Sequence, residues 1–240
     1  MTARVVLAHG FTQTARSWAD IERALRSHSP GVDTIAVDLP GHGTAGEVVT
    51  DLWGAADHLV AHGGSGAYVG YSMGGRVALH AALAHPESVE RLVLIGATAG
   101  IDAEEERAAR RNSDEHLAAH IEDVGVETFV DEWLANPLFA GLDERSALRS
   151  DRLRNAAAGL ASSLRTCGTG TQDSLWERLG EIRCPTLVLV GEQDAKFTDL
   201  GGRLTTAIPH GRLVVVPDSG HSVHLEQPDA TVAALVEFLA

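Results

Sequence analysis

Ser72, Asp194 and His221 are the residues through which this chain of 240 residues can do chemistry. A serine hydroxyl is a weak nucleophile or base until an imidazole takes its proton. The imidazole works best when a carboxylate holds it in one tautomer. Ser72 lies in Gly70-Tyr71-Ser72-Met73-Gly74, between a short apolar run rich in aromatics and an Ala/Leu-rich stretch ended by Pro86. The pattern predicts a strand, a tight turn and a helix, the setting that makes Gly-x-Ser-x-Gly a nucleophile elbow. So tight a turn needs small residues two positions before and after the serine, and both are glycine. The serine is then held in a strained conformation at the carboxyl end of a sheet, ahead of a helix N-terminus that favours developing negative charge.

Asp194 follows an apolar run in Gly191-Glu192-Gln193-Asp194, and His221 follows another in Asp218-Ser219-Gly220-His221. The order Ser, Asp, His, each on a loop after a strand, is therefore met. Asp199 is expected to cap the next helix, and Asp218 to serve a turn. His224 competes with His221 as the base, and the Gly-His placement favours His221. His9-Gly10-Phe11 follows the first apolar run. A loop in that place supplies one oxyanion-hole amide and the residue after the serine supplies the other, here the backbone N–H groups of Phe11 and Met73. His9 is expected to brace its loop.

Positioning these groups takes a scaffold whose strands end together. Residues 4–8 read as a strand, and residues 17–27, with Trp18, Ile21 and Leu25 at helical spacing, as an amphipathic helix. Residues 34–37 read as a second strand, followed by the turn-rich Asp38-Leu39-Pro40-Gly41-His42-Gly43. A helix over 47–62 precedes the elbow, and the apolar run 89–95 suits a strand buried on both faces. Strands at 185–190 and 212–216 alternate with helices at 200–208 and 229–239. The alternation predicts an α/β fold with a doubly wound, mostly parallel sheet. Residues 101–178 carry helical stretches rich in Ala, Arg and Glu and no convincing strand. They are expected to form a helical lid inserted in a core made of residues 1–100 and 179–240.

Acidic residues outnumber basic ones by 33 to 19, giving a net charge of −14, which argues against nucleic acid or an anionic membrane as partner. Lys196 is the only lysine, and the other basic residues are arginines, the better choice for bidentate carboxylate binding. Lys196 is expected to brace its loop. Two cysteines, Cys167 and Cys184, make no disulfide framework or metal cluster, and no nucleotide or metal motif appears, so no metal and no cofactor are expected. No apolar run reaches 18 residues and no signal-peptide pattern opens the chain, so a cytoplasmic protein without a membrane span is expected. The oligomeric state is left open, with a monomer or weak dimer expected.

These motifs resemble a known superfamily, the α/β hydrolases, through His9-Gly10-Phe11, Asp38 to Gly43, the elbow, Gly191-x-x-Asp194 and Gly220-His221. The stretch Leu164-Arg165-Thr166-Cys167-Gly168-Thr169-Gly170-Thr171-Gln172-Asp173-Ser174-Leu175-Trp176 narrows the likeness. It is similar to the Gly-Thr-Gly-x-Gln-Pro-Ser-Leu-Trp stretch of the 2-succinyl-6-hydroxy-2,4-cyclohexadiene-1-carboxylate (SHCHC) synthases of menaquinone biosynthesis. Trp133 with Asn136-Pro137-Leu138-Phe139, and Asp194-Ala195-Lys196-Phe197, add to it. Asp173 departs from the family's proline, and the N-terminal strands of a full hydrolase sheet are minimal or missing.

The resemblance implies a lyase that eliminates pyruvate from 2-succinyl-5-enolpyruvyl-6-hydroxy-3-cyclohexene-1-carboxylate, with the triad as a proton-abstracting base. It implies Arg76, Arg110 and Arg154 as clamps for a polycarboxylate substrate and Tyr71 and Trp133 as further pocket residues. Arg107, Arg111, Arg149 and Arg152 lie close enough in sequence for a register error. The alternative is a serine hydrolase, an esterase or carbon–carbon bond hydrolase acting on a small carboxylate-bearing substrate. A catalytically silent ligand sensor is disfavoured because no triad residue is lost, and an epoxide hydrolase would carry Asp in place of Ser72.

Overall fold

The alternating apolar runs and amphipathic stretches resolve into one parallel sheet with helices on both faces. The computed structural model describes residues 3–240. Its strands are β1 (Ala3–Ala8), β2 (Val32–Val37), β3 (Gly66–Tyr71), β4 (Val89–Ile95), β5 (Thr186–Gly191) and β6 (Gly211–Val216). They lie in the order β2-β1-β3-β4-β5-β6, and every neighbouring pair is parallel. The expected mostly parallel sheet is thus wholly parallel among the described residues. Every residue of β3 and of β5 is buried, the signature of strands covered on both faces.

The helices are α1 (Ala19–His28), α2 (Leu52–Gly63), α3 (Met73–Ala84), α4 (Glu104–Leu134), α5 (Arg149–Arg152), α6 (Ala157–Cys167), α7 (Ala195–Ala207), α8 (Val223–Glu226) and α9 (Pro228–Leu239). Successive strand side chains point to opposite faces, so Val5 and Leu7 meet one layer while Val6 and Ala8 meet the other. The first layer is α1 and α9, through Ile21, Leu25, Val232 and Leu235. The second is α2, α3 and α7, through Leu59, Val77, Ala78 and Leu204. Between β4 and β5 the chain is helical. There α4, interrupted at Gly125 (φ 79°), packs on α6 around Ile121, Phe129, Leu160 and Leu164. No helix of the described residues is long and apolar enough to cross a membrane.

Two helices start away from the expected positions because of their caps. Residues 43–45 form a 3-10 turn, and α2 begins only after Asp51, whose side chain accepts from the Gly54 N–H at 2.9 Å. Asp194, not Asp199, caps α7, accepting from the Phe197 N–H at 3.2 Å. The helix expected from 200 therefore starts at 195, and Asp199 sits inside it.

The strand order reverses beside β1, and at such a switch point the loops after adjacent strands diverge and open a crevice. Here the loops are those after β1 and β3, which carry His9-Gly10-Phe11 and the elbow. Their approach leaves no space for side chains. A Cβ on Gly74 would lie 2.1 Å from the Ala8 carbonyl oxygen, and one on Gly70 would lie 2.3 Å from the Gly74 oxygen. Backbone cannot yield as a flexible side chain can. Gly74→Ala is expected to cost about 3 kcal/mol and to lower Tm by roughly 6–12 °C in a thermal melt. A Tm within 2 °C of the parent (about 1 kcal/mol at most) would show that the elbow and β1 are not in hard contact.

Candidate active site

Ser72 sits between β3 and α3 with φ 50° and ψ −107°, the strained turn expected of an elbow. Its own N–H is tied to the Ile95 oxygen at 2.8 Å, which fixes the turn to β4. Asp194 divides its carboxylate: Oδ1 caps α7, and Oδ2 lies 2.8 Å from His221 Nδ1. His221 Nε2 lies 3.2 Å from Ser72 Oγ. With the carboxylate accepting from Nδ1–H, Nε2 is left as the acceptor facing the serine. The ring is held by Phe197, 4.4 Å between centroids, and by Gly96, where an added Cβ would meet His221 Cε1 at 3.0 Å. The rival His224 is buried between Trp18 and Tyr71, at 4.6 and 4.4 Å between centroids, and neither nitrogen has a hydrogen-bond partner.

Phe11 lies on the loop after β1 and Met73 at the first position of α3, and both line the same cavity as Ser72 and His221. Among the described residues neither amide donates to a protein acceptor. Two buried histidines brace this loop. His9 Nε2 accepts from the Leu39 N–H at 3.0 Å, and His42 Nε2 accepts from the Thr12 N–H at 3.3 Å. Their Nδ1–H groups donate to the Gly10 oxygen at 2.9 Å and the Pro40 oxygen at 3.1 Å. Both imidazoles are used as neutral acceptors. Burial lowers the pKa of each, and that of His42 falls to about 3.

The cavity, of about 300 Å³, is walled by the core on one side and by α4, α5 and α6 on the other. Four cations line it, Arg76, Arg110, Arg152 and Lys196, against one carboxylate, Asp194. Arg76 donates to the Cys167 oxygen at 2.8 Å and reaches Gln172 Oε1 at 3.4 Å, both neutral acceptors. Arg152 is 1% exposed and donates to the Ala147 and Phe11 carbonyls and to the Thr12 hydroxyl. Its second terminal nitrogen has no partner. Burial lowers the pKa of each guanidinium to about 10, so both stay charged at neutral pH. Arg110 is ion-paired with the buried Asp114 at 2.7 Å and keeps 43% of its side chain exposed. Trp133 lines the cavity beside Phe11, 5.4 Å between centroids, with its indole N–H unpartnered. Tyr71 donates to or accepts from Ser222 Oγ at 2.7 Å, and burial pushes its phenol pKa up.

Two expectations need correction. Arg154 is exposed and does not line the cavity. Arg152, the last residue of α5, takes that place and is buried, while Arg154 lies in the turn beyond the helix end and faces solvent. Lys196 lines the mouth of the cavity, its ammonium 5.7 Å from the centre of the Phe197 ring, instead of serving only its loop. Sequence spacing could not separate Arg152 from Arg154, since the short helix that orients them is too brief to show a periodicity. Among the described residues no group of three or more His, Cys, Asp or Glu could hold a metal ion.

The family model of the alpha/beta hydrolase family matches residues 5–235. A Bacillus subtilis (strain 168) protein provisionally named a 2-succinyl-6-hydroxy-2,4-cyclohexadiene-1-carboxylate synthase is 39% identical, over 98% of this chain and 89% of that protein. The synthase of the same name from Enterobacter sp. (strain 638) is 33% identical, over 98% of this chain and 91% of its own length. The chain belongs to the alpha/beta hydrolase family. A solved structure described as MenH from S. aureus superimposes with a TM-score of 0.90 at 30% identity, over all of this chain and 94% of that one.

The histidine braces are expected to make folding acid-sensitive. His9 and His42 have folded-state pKa values below the unfolded value near 6.5, so their stabilisation is complete above pH 6.5 and is lost as pH falls toward the folded values. Between pH 6.5 and 5 the unfolding free energy is expected to fall by up to about 1.4 kcal/mol per pH unit for each such histidine. Urea unfolding of the parent and His42→Gln across that range checks this, and equal slopes in the two proteins would contradict it.

Proposed function

We propose that the chain is an SHCHC synthase, a lyase that removes pyruvate from 2-succinyl-5-enolpyruvyl-6-hydroxy-3-cyclohexene-1-carboxylate. The observation that carries this reading is the four-to-one excess of cations around the cavity of a chain whose net charge is −14. Two of those cations, Arg76 and Arg152, are buried against neutral acceptors alone. A buried guanidinium with no carboxylate in hydrogen-bond contact is costly, and a substrate with three carboxylates supplies that partner. The names of the relatives and of the superimposable MenH structure point the same way.

In this reading Asp194 holds the His221 tautomer and His221 Nε2 takes the Ser72 proton. Ser72 Oγ then removes the ring proton at C2, which is acidic because it lies next to the succinyl ketone. The electron pair forms the C2–C3 double bond as the C3–C4 pair moves to C4–C5 and the C5–O bond breaks, releasing enolpyruvate that becomes pyruvate on protonation. No acyl-enzyme forms. The Phe11 and Met73 amides face the succinyl oxygen as it gains charge. Arg76, Arg110, Arg152 and Lys196 hold carboxylates, Tyr71 and Trp133 complete the pocket, and residues 101–178 act as a lid that keeps water out. The substrate is a small polycarboxylate and neither metal nor cofactor takes part.

The test is a steady-state assay of pyruvate release and diene absorbance with enzymatically generated substrate. Ser72→Ala is expected to lose ~10³-fold or more in kcat. Arg76→Ala should raise KM by roughly 10–100-fold, the loss of one charged hydrogen-bonding contact. Arg154→Ala should stay within about 2-fold of the parent, as exposed substitutions do. Absent pyruvate release with efficient turnover of a p-nitrophenyl ester would move the assignment to the serine hydrolase alternative.

A further inference from the structure

The loop that carries the Phe11 amide is held from outside the core. Thr12, fully buried, has φ 69°, a left-handed conformation that a β-branched residue adopts only when its surroundings impose it. The segment that imposes it lies about 140 residues away, at the turn between α5 and α6. Asn155 Nδ2 donates to the Thr12 oxygen at 2.6 Å, and Asn155 Oδ1 accepts from the Gly43 N–H at 2.9 Å. Arg152 donates to the Thr12 hydroxyl and the Phe11 oxygen. Asp151 Oδ2 accepts from the Thr14 N–H at 3.0 Å, and its other oxygen accepts from the Thr14 hydroxyl. Asn155 is itself buried and ties back to the Arg152 oxygen at 3.0 Å, so residues 151–155 act as one piece.

We propose that residues 151–155 are the positioning element of the oxyanion hole, with Asn155 and Asp151 setting the Phe11 amide by holding Thr12 and Thr14. Apart from the internal tie of Asn155 to Arg152, these contacts join the helical segment between β4 and β5 to the loops after β1 and β2, with Phe11, Thr12 and Thr14 on the first and Gly43 on the second. When the segment lifts away, Thr12 loses its carbonyl and hydroxyl partners together, and its backbone relaxes out of the left-handed region. The oxyanion hole is then complete only while the segment is docked, and substrate entry and transition-state stabilisation are coupled through one loop. This rests on the reading of the Phe11 N–H as an oxyanion donor, and it holds for the lyase and for the hydrolase alternative alike.

The test uses three variants of the full chain. Asn155→Ala removes the tether. Asn155→Asp keeps the acceptor for Gly43 and loses the donor to Thr12. Thr12→Gly in the Asn155→Ala background removes the need for a tether, since glycine takes positive φ freely. Pyruvate release and p-nitrophenyl ester turnover are measured at a temperature where circular dichroism shows every variant folded. Both single variants are expected to lose ~100-fold in kcat, the cost of a misplaced oxyanion donor, with KM changed less than ~3-fold. The double variant should regain at least ~10-fold of kcat. Unchanged kcat in Asn155→Ala, or a loss that glycine does not restore, overturns the proposal. The amide resonance of Phe11 in protein labelled with 15N-phenylalanine gives a readout independent of turnover. It should move in Asn155→Ala and return in the double variant, and a resonance that stays put overturns the proposal. A parent protein active on neither substrate would refute the catalytic reading and leave the resonance to decide the tether.

Discussion

The backbone contact between the elbow and the end of β1 is the constraint on which the site depends. Gly74 approaches the Ala8 carbonyl so closely that even a methyl group could not enter. That approach brings the loop after β1 alongside the N-terminus of α3, so the Phe11 and Met73 amides come to line one cavity. It also forces Ser72 into a positive φ, from which its hydroxyl meets His221. A parallel sheet with a switch point beside β1 makes the approach possible, because only there do adjacent loops diverge enough to leave a crevice above the contact.

Asp194 shows how few groups are needed to join fold and chemistry. One carboxylate oxygen starts α7 and the other orients His221, so a single side chain serves both the helix cap and the imidazole. The carboxylate is thereby kept in one geometry without a dedicated partner. The arginines follow the opposite logic. Most arginines of the chain are spent in exposed ion pairs, such as Arg149 with Asp131 or Arg165 with Glu115 and Glu122, worth little individually. Arg76 and Arg152 are buried instead, with their hydrogen bonds going to carbonyls, a hydroxyl and a side-chain amide and none to a carboxylate.

The core and the helical segment between β4 and β5 share this site. Phe11 packs against both the sheet core and the cluster of α4 and α6, so the loop after β1 forms the seam between them. The tethers from Asp151, Arg152 and Asn155 run across the same seam, and the buried neutral histidines His9 and His42 hold the loop from beneath. A loop fastened on both sides keeps its backbone in one place, as a free surface loop would not.

Much of this protein was determined by local pattern. The Gly-x-Ser-x-Gly elbow, the apolar run of β4 and the loop motifs around Asp194 and His221 are each legible within a few residues, and their order along the chain carried the fold class and the triad. Local pattern failed where a neighbour far along the chain decides. Whether Arg152 or Arg154 enters the cavity depends on how a four-residue helix docks on the Phe11 loop, which no periodicity records. Whether Asp194 or Asp199 caps α7 depends on where Gly191 is held against Ser219 and Gly220, a contact of tertiary structure. The left-handed Thr12 carries no sequence mark at all, since threonine is a poor choice for that conformation on its own. Sequence sets what each segment prefers. Only packing across the seam could hold Thr12 against its preference and turn Arg152 inward.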